Sequence, residues 1–318
     1  MMRSLTSGVA GLRAHQTKMD VIGNNIANVN TYGFKASRVT FADVYYQTIS
    51  GAAEGNSSTG GMNPTQIGYG AMIRSIDRLD SPTGAAGTDR PMDIYLTGEG
   101  LITTKSGDEI FYTRLGVLRF DPATGNLLDA GGNFVQGMNY KVDTPPRDAD
   151  GVVQWISEVA NFETYGVLEA DLQTVNIDTE LLSLLTNISI DKSGKVTGIL
   201  TSDWEDTAGK YATAGFDFEA NDVIVIGNIA LANFGNSEGM IQVGDSYLQK
   251  STNAGAVTYA RPGTLGTGQV KAGYLEMSNV DISKEFTDMI TTQRGFQANT
   301  RIITVSDEML QELVNLKR

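Results

Sequence analysis

The first residues of the chain lay down an apolar stripe with nothing nearby to cover it. Leu5, Val9, Leu12, Gln16, Met19, Ile22, Ile26 and Val29 follow one another at steps of 4, 3, 4, 3, 3, 4 and 3, which is one face of a helix close to a heptad. The pattern predicts a helix from near Ser4 to near Thr31, with Gly33 free to take the positive φ that ends it. The far end carries a second stripe. Ile282, Phe286, Met289, Phe296, Ile303, Leu310, Leu313 and Leu316 lie on or near one face, with Gln293 among them. Asn279 to Ser283 offers capping side chains before it, and Lys317 and Arg318 suit its negative dipole end. Neither stripe has a local partner, so the simplest burial is against the other, as a coiled coil made from the two ends. Polar breaks at Gln16, Gln293 and Asn299 thin both stripes. A pair this thin is marginal alone, and the outer faces are expected to need other subunits.

The middle of the chain has a different texture. Short alternating runs at Met92–Leu96, Ile110–Arg114, Val117–Phe120, Phe134–Tyr140, Val223–Ile229 and Tyr247–Leu248 read as strands. Asn187–Ile190 and Lys195–Ile199 flank Asp191-Lys192-Ser193-Gly194, a hairpin by composition. With 36 Gly and 7 Pro, turns set by glycine should be frequent. The expected fold is α+β and mainly β: terminal helices paired as a coiled coil, with an antiparallel β-barrel or sandwich body between them. By segments, 1–35 and 279–318 form the helical domain and 36–90 an extended linker or hinge region. Residues 91–278 form the β-rich domain, in which 141–222 is an acidic insertion or sub-lobe.

Charge and composition narrow the function. Acidic residues outnumber basic ones 37 to 24, for a net charge of −13, which argues against nucleic acid as a partner. Between Lys141 and Asp222 there are 16 acidic and 5 basic residues. This suits a subunit that packs through its ends and shows its middle to water. The absence of Cys removes disulfides and thiolate chemistry, and the single His, His15, rules out a two-His relay. No run approaches the length of a membrane span. G-x-S-x-G, H-E-x-x-H and the P-loop pattern are all missing. Asp121–Asp129 lacks the spaced ligands of a Ca²⁺ loop and reads as a β-turn. Trp155 and Trp204 read as core anchors. No catalytic residue, cofactor site or metal site is expected.

The segment from Gly23 to Lys35 is the sharpest local feature. Asn24, Asn25, Asn28 and Asn30 crowd a predicted helix that Asn supports poorly. Asn24 and Asn28 are i,i+4 neighbours, as are Ile22 and Ile26, which sets an amide ladder beside the apolar stripe. Amides both donate and accept, so they suit contacts between identical copies.

These residues resemble the N-terminal signature of the flagellar rod and hook family of axial proteins, in Ser4–Leu12 and again in Met19–Asn28. Gly273–Asp281 and Glu285–Asn299 resemble the family's C-terminal signature, and Met92–Gly100 with Tyr112-Thr113-Arg114 its β domain. Phe34–Tyr45 and Ser283–Ile290 look most like a hook protein, whereas Met2–Leu5 and Tyr46-Gln47-Thr48 are shared with the distal rod protein.

The resemblance implies a structural subunit of a helical tube, a flexible joint if hook and a stiff shaft if rod. The paired helices would form its inner layer and the β domain its outer layer. It implies as partners other copies of the chain, rod and hook–filament junction proteins, the hook cap and the flagellar type III export apparatus. The place it implies is the flagellum, outside the cell after export. The self-assembly set is then Leu5, Val9, Leu12, Met19, Ile22, Asn24, Asn25, Ile26, Asn28, Phe286, Met289, Ile290, Phe296, Ile303, Leu310 and Leu313. Phe41 and Tyr45 match the family's export-gate pair at a spacing of four. A bending tube needs a hinge between helical and β layers, for which Gly51, Gly55, Gly60, Gly61, Gly263 and Gly266 are candidates. A third reading, a secreted β-rich hydrolase or carbohydrate-binding module, requires a convergent polar pocket in the β body.

Overall fold

The computed structural model describes residues 2–55, 60–139, 172–206, 216–218 and 220–316. Its helices include α1 (Met2–Ala27), α2 (Thr179–Leu184) and α3 (Ile282–Leu316). The chain divides into two units. One holds residues 1–30, 35–79 and 280–318, and the other residues 31–34 and 80–279. They are called here the helical unit and the β unit.

In the helical unit α1 stops at Ala27, four residues before the predicted end. Asn28 is the cause: its Nδ2 donates to Asn24 O and to Asn24 Oδ1, both at 3.0 Å. A short amide side chain that folds back on the helix competes with the next turn. Gly33 does take a positive φ of 73°, but six residues later, in the β unit, where its N–H donates to Glu276 O at 2.9 Å. At the other end Asp281 Oδ1 accepts from the N–H groups of Ser283 and Lys284 at 2.9 and 3.3 Å and caps α3.

The stretch 36–90, expected as an extended linker, carries paired strands. β1 (Ser37–Asp43) pairs antiparallel with β4 (Ala71–Arg78), and β2 (Tyr46–Ser50) with β3 (Thr65–Gly68). The result is a two-stranded ribbon. Its ladder shifts register between Thr40 and Phe41 and between Thr48 and Ser50, and the Ala53↔Met62 bridge lies toward its tip. Sequence patterning missed it because the outward positions of β1 and β4 carry apolar residues such as Phe41, Met72 and Ile76, and β2 is exposed along its whole length.

The β unit is built on one large antiparallel sheet. Its main path runs Leu185–Ile190, Lys195–Leu200, Val223–Ile229, Phe134–Asn139, Leu101–Ser106, Glu109–Thr113, Tyr247–Gln249 and Ile241–Gly244. The Asp191–Gly194 hairpin forms as expected, with Gly194 at φ 75° and its N–H bonded to Asp191 O at 2.9 Å. The body is not a closed barrel. The two ends of the path do not pair with each other, and the last strand, Ile241–Gly244, is exposed along its whole length. A barrel would need those edges to meet.

Both core clusters found among the described residues lie in this unit. One cluster gathers Ile94, Leu96, Ile102, Leu118, Leu127, Val135, Ile177, Leu181, Val196, Ile224, Ile226, Ile229 and Leu231 with their neighbours. A second gathers Leu101, Tyr112, Phe234, Met240, Leu248 and Tyr259. Trp204 packs half-buried against the first cluster, as expected of an anchor. Trp155, half of the acidic stretch 141–222, Lys317 and Arg318 lie outside the described residues.

Candidate assembly surface

α1 and α3 pack side by side and antiparallel. Ser4 Oγ lies 3.4 Å from Ser306 Oγ, and Asn25 Nδ2 donates to Glu285 Oε1 at 3.3 Å. Between these ends the helices approach closely because a glycine on one meets a larger side chain on the other. A Cβ built on Gly8 would stand 3.3 Å from Ile303, and one on Gly11 only 2.7 Å from Asn299 Nδ2. On the opposite helix a Cβ on Gly295 would stand 2.8 Å from the His15 ring.

Two heptad columns of α3 face this seam. One is polar or small: Glu285, Thr292, Asn299 and Ser306, of which Thr292 and Ser306 are buried. The other is apolar: Met289, Phe296, Ile303 and Leu310, each half-buried. The predicted residues of α1 line the same region, with Ile22 buried and Leu5, Val9, Leu12, Met19 and Ile26 half-buried.

Three other members of the expected set face outward. Phe286, Ile290 and Leu313 are exposed, together with Ile282, Ile302, Val305, Met309, Val314 and Leu316. The ribbon adds Phe41, Tyr45, Tyr46, Ile49, Met62, Ile67, Met72 and Ile76. In all, 17 of the 23 exposed large apolar side chains among the described residues belong to the helical unit. Among the described residues its buried apolar side chains are only Ala14, Ile22 and Ala36. The unit therefore leaves many large apolar side chains exposed and buries only part of its seam, which an ordinary core would cover.

The asparagines divide between two tasks. Asn24 and Asn28 bond to each other near the surface. Asn25, 2% exposed, is spent inside the chain. Its Nδ2 donates to Ser37 O at 2.9 Å, and its Oδ1 accepts from Ser37 N–H at 3.0 Å. It thus ties α1 to the start of the ribbon and, through Glu285, to α3. Burial raises the Glu285 carboxyl above its ordinary pKa, opposed by the Asn25 hydrogen bond. Burial, then the charge of Lys18, pulls His15 below its ordinary value. Lys18 Nζ in turn lies 4.0 Å from Asp288.

Phe41 and Tyr45 both sit on the ribbon side of this unit and are exposed, Tyr45 at 85%. The candidate hinge glycines do not fall where the chain passes between units, at 30/31, 34/35, 79/80 and 279/280. Gly51, Gly55, Gly60 and Gly61 lie toward the ribbon tip, beyond the β2–β3 ladder. Gly263 and Gly266 sit in a β-unit turn whose Thr264 and Thr267 hydroxyls donate to Arg261 O at 2.7 and 2.9 Å. Sequence reasoning missed the seam residues Gly8, Gly11, Thr292, Gly295 and Ser306. The seven-residue recurrence of Glu285, Thr292, Asn299 and Ser306 was the available signal.

In the β unit, Asp121 accepts from Ala123 N–H and Thr124 Oγ1 at 3.1 and 2.6 Å, the β-turn expected there. Tyr247 borders an open depression with Phe111, Asn133 and Asp245. Its hydroxyl donates to buried Asp129 at 2.7 Å, a contact that holds two turns together. No group of three or more His, Asp or Glu side chains among the described residues could hold a metal.

Comparison with known proteins places both ends in named families. Residues 5–35 match the model described as "Flagella basal body rod protein", and residues 271–316 match "Flagellar basal body rod FlgEFG protein C-terminal". The chain is 40% identical over 319 positions to the flagellar basal-body rod protein FlgG of Bacillus subtilis, with all of both chains covered. It is 32% identical to the flagellar hook protein FlgE of Borreliella burgdorferi, again with all of both covered but over 441 positions. It is 32% identical over 321 positions to FlgG of Caulobacter vibrioides, with 99% of this chain covered.

Proposed function

We propose, from the premise that this chain belongs to the flagellar rod and hook protein family, that it is a building block of a helical tube in the flagellar axis. It is a structural protein of the bacterial flagellum. One observation carries the polymer reading: the helical unit holds 17 of the 23 exposed large apolar side chains among the described residues and neither of the two core clusters. Head-to-tail contacts that do not close on themselves turn such faces into a filament.

Within the family, length favours the rod. The FlgG alignments run to 319 and 321 positions against the chain's 318 residues, and the FlgE alignment to 441. The hook reading keeps the support of Phe34–Tyr45 and of the flagellar hook proteins FlgE of Borreliella burgdorferi and Treponema pallidum, 32% and 29% identical. The two differ mechanically. Electron microscopy of the purified chain at rising concentration should give straight, stiff tubes for a rod and curved, supercoiling tubes for a hook. A chain that stays monomeric at every concentration contradicts both.

Phe41 and Tyr45 are proposed as the export element. Their replacement by alanine should reduce secretion through the type III apparatus and leave assembly of the purified chain intact.

A further inference from the structure

The exposed apolar residues of α3 form two patches, at opposite ends of the helix and on opposite flanks. At about 100° per residue, Phe286 sits about 60° and Ile290 about 100° to one side of the seam residue Met289. By the same measure, Leu313 sits about 60° and Met309 about 100° to the other side of the seam residue Leu310. All four outer residues are exposed.

The patches also differ in charge. The half of α3 that holds Phe286 and Ile290 exposes Lys284, Arg294 and Arg301, while its acids Glu285 and Asp288 face Asn25 and Lys18. The stretch Ile302–Leu316 exposes Asp307, Glu308 and Glu312 and contains no Lys or Arg.

We propose that the patch at Met309 and Leu313 is covered by the patch at Phe286 and Ile290 of a second copy of this chain. The inference rests on the polymer reading and specifies its contact. Two parallel helices related by a translation turn opposite flanks toward each other, which is how these patches are disposed. A two-fold pair would present the same flank twice and would set Asp307, Glu308 and Glu312 against their own copies, a repulsive arrangement. The paired helices run in the same direction, offset by about 35 Å, the helical rise from Phe286 to Met309. The contact is heterologous and leaves one patch free at each end, so it propagates.

The chain has no cysteine, so engineered thiols report the contact directly. Phe286→Cys and Met309→Cys are made as separate full-length variants, with Ile290→Cys and Leu313→Cys as a second pair. Each pair is mixed under assembly conditions and oxidised, and the cross-links are mapped by mass spectrometry. The expected result is a 286–309 or 290–313 link between copies in the mixture, little dimer from any variant alone, and a ladder of oligomers from either double variant. Tubes that form without these links, or that link 309 to 309, overturn this contact and leave the polymer reading standing. A wild-type chain that never assembles overturns both.

Discussion

Asn25 and Ser37 hold each other by two hydrogen bonds, side-chain Nδ2 to backbone O at 2.9 Å and backbone N to side-chain Oδ1 at 3.0 Å. One amide thus satisfies both backbone groups of the first ribbon residue. Replacing Asn25 by alanine strands them, at a cost of about 2 kcal/mol to the helical unit. Asn25→Asp should be worse at neutral pH, because a carboxylate there cannot donate to Ser37 O and repels Glu285. Denaturant titration of the full chain, followed by hydrogen exchange in α1, measures both. A change within experimental error for Asn25→Ala would refute the tie.

Gly23 and Gly295 lie in helices but meet different surroundings. A Cβ on Gly23 finds nothing within 4 Å, whereas one on Gly295 meets the His15 ring at 2.8 Å. Gly23→Ala should stabilise by about 0.5–1 kcal/mol through helix propensity. Gly295→Ala should destabilise despite the same gain, since the ring is wedged in the seam. Thermal melts of the two variants should move in opposite directions.

His15 and Glu285 give the seam a pH dependence of two signs. Neutral His15 suits its buried place, so its contribution is complete above the ordinary value of 6.5 and is lost as pH falls through that value. Glu285 is penalised when charged, so its penalty is relieved as pH falls through its raised value toward the ordinary 4.5. Between pH 7.5 and 5.5, His15→Gln should flatten the loss of α1 amide protection. Glu285→Gln should leave that loss in place and remove the recovery below it. Identical profiles for wild type and His15→Gln would exclude the histidine as the cause.

Val305 and Leu313 are exposed on α3. Changing either to serine should alter the stability of the isolated chain by no more than about 0.5 kcal/mol. If neighbouring copies bury them, each loss removes about 1.5–3 kcal/mol of apolar contact. That raises the concentration needed for assembly by roughly ten- to a hundred-fold. Sedimentation of tubes across a concentration series reads the shift.

The sequence disclosed what depends on local pattern. Asp281 capped α3 as its position implied, the Asp191–Gly194 hairpin closed at its glycine, and the heptad of Met289, Phe296, Ile303 and Leu310 turned inward. It put Phe286 and Leu313 on one face with those four, because a stripe wide enough to serve two contacts reads as one face. The β1–β4 ribbon escaped because its exposed positions hold apolar residues, Phe41, Met72 and Ile76, which blurs the alternation. The expectation of a barrel or sandwich came from the spacing of short strands, and spacing does not say whether two edges meet. The inward task of Asn25 was hidden because its partner is the backbone of Ser37, which any residue type would supply.

The uneven placement of apolar surface bears on how a finished tube ages. The β unit owns its interior, whereas the helical unit must borrow one from its neighbours. A subunit in the middle of a tube therefore cannot leave without stripping the chains on either side of the same shelter. Loss and replacement are then confined to the tips, and the wall between them, once laid, does not exchange.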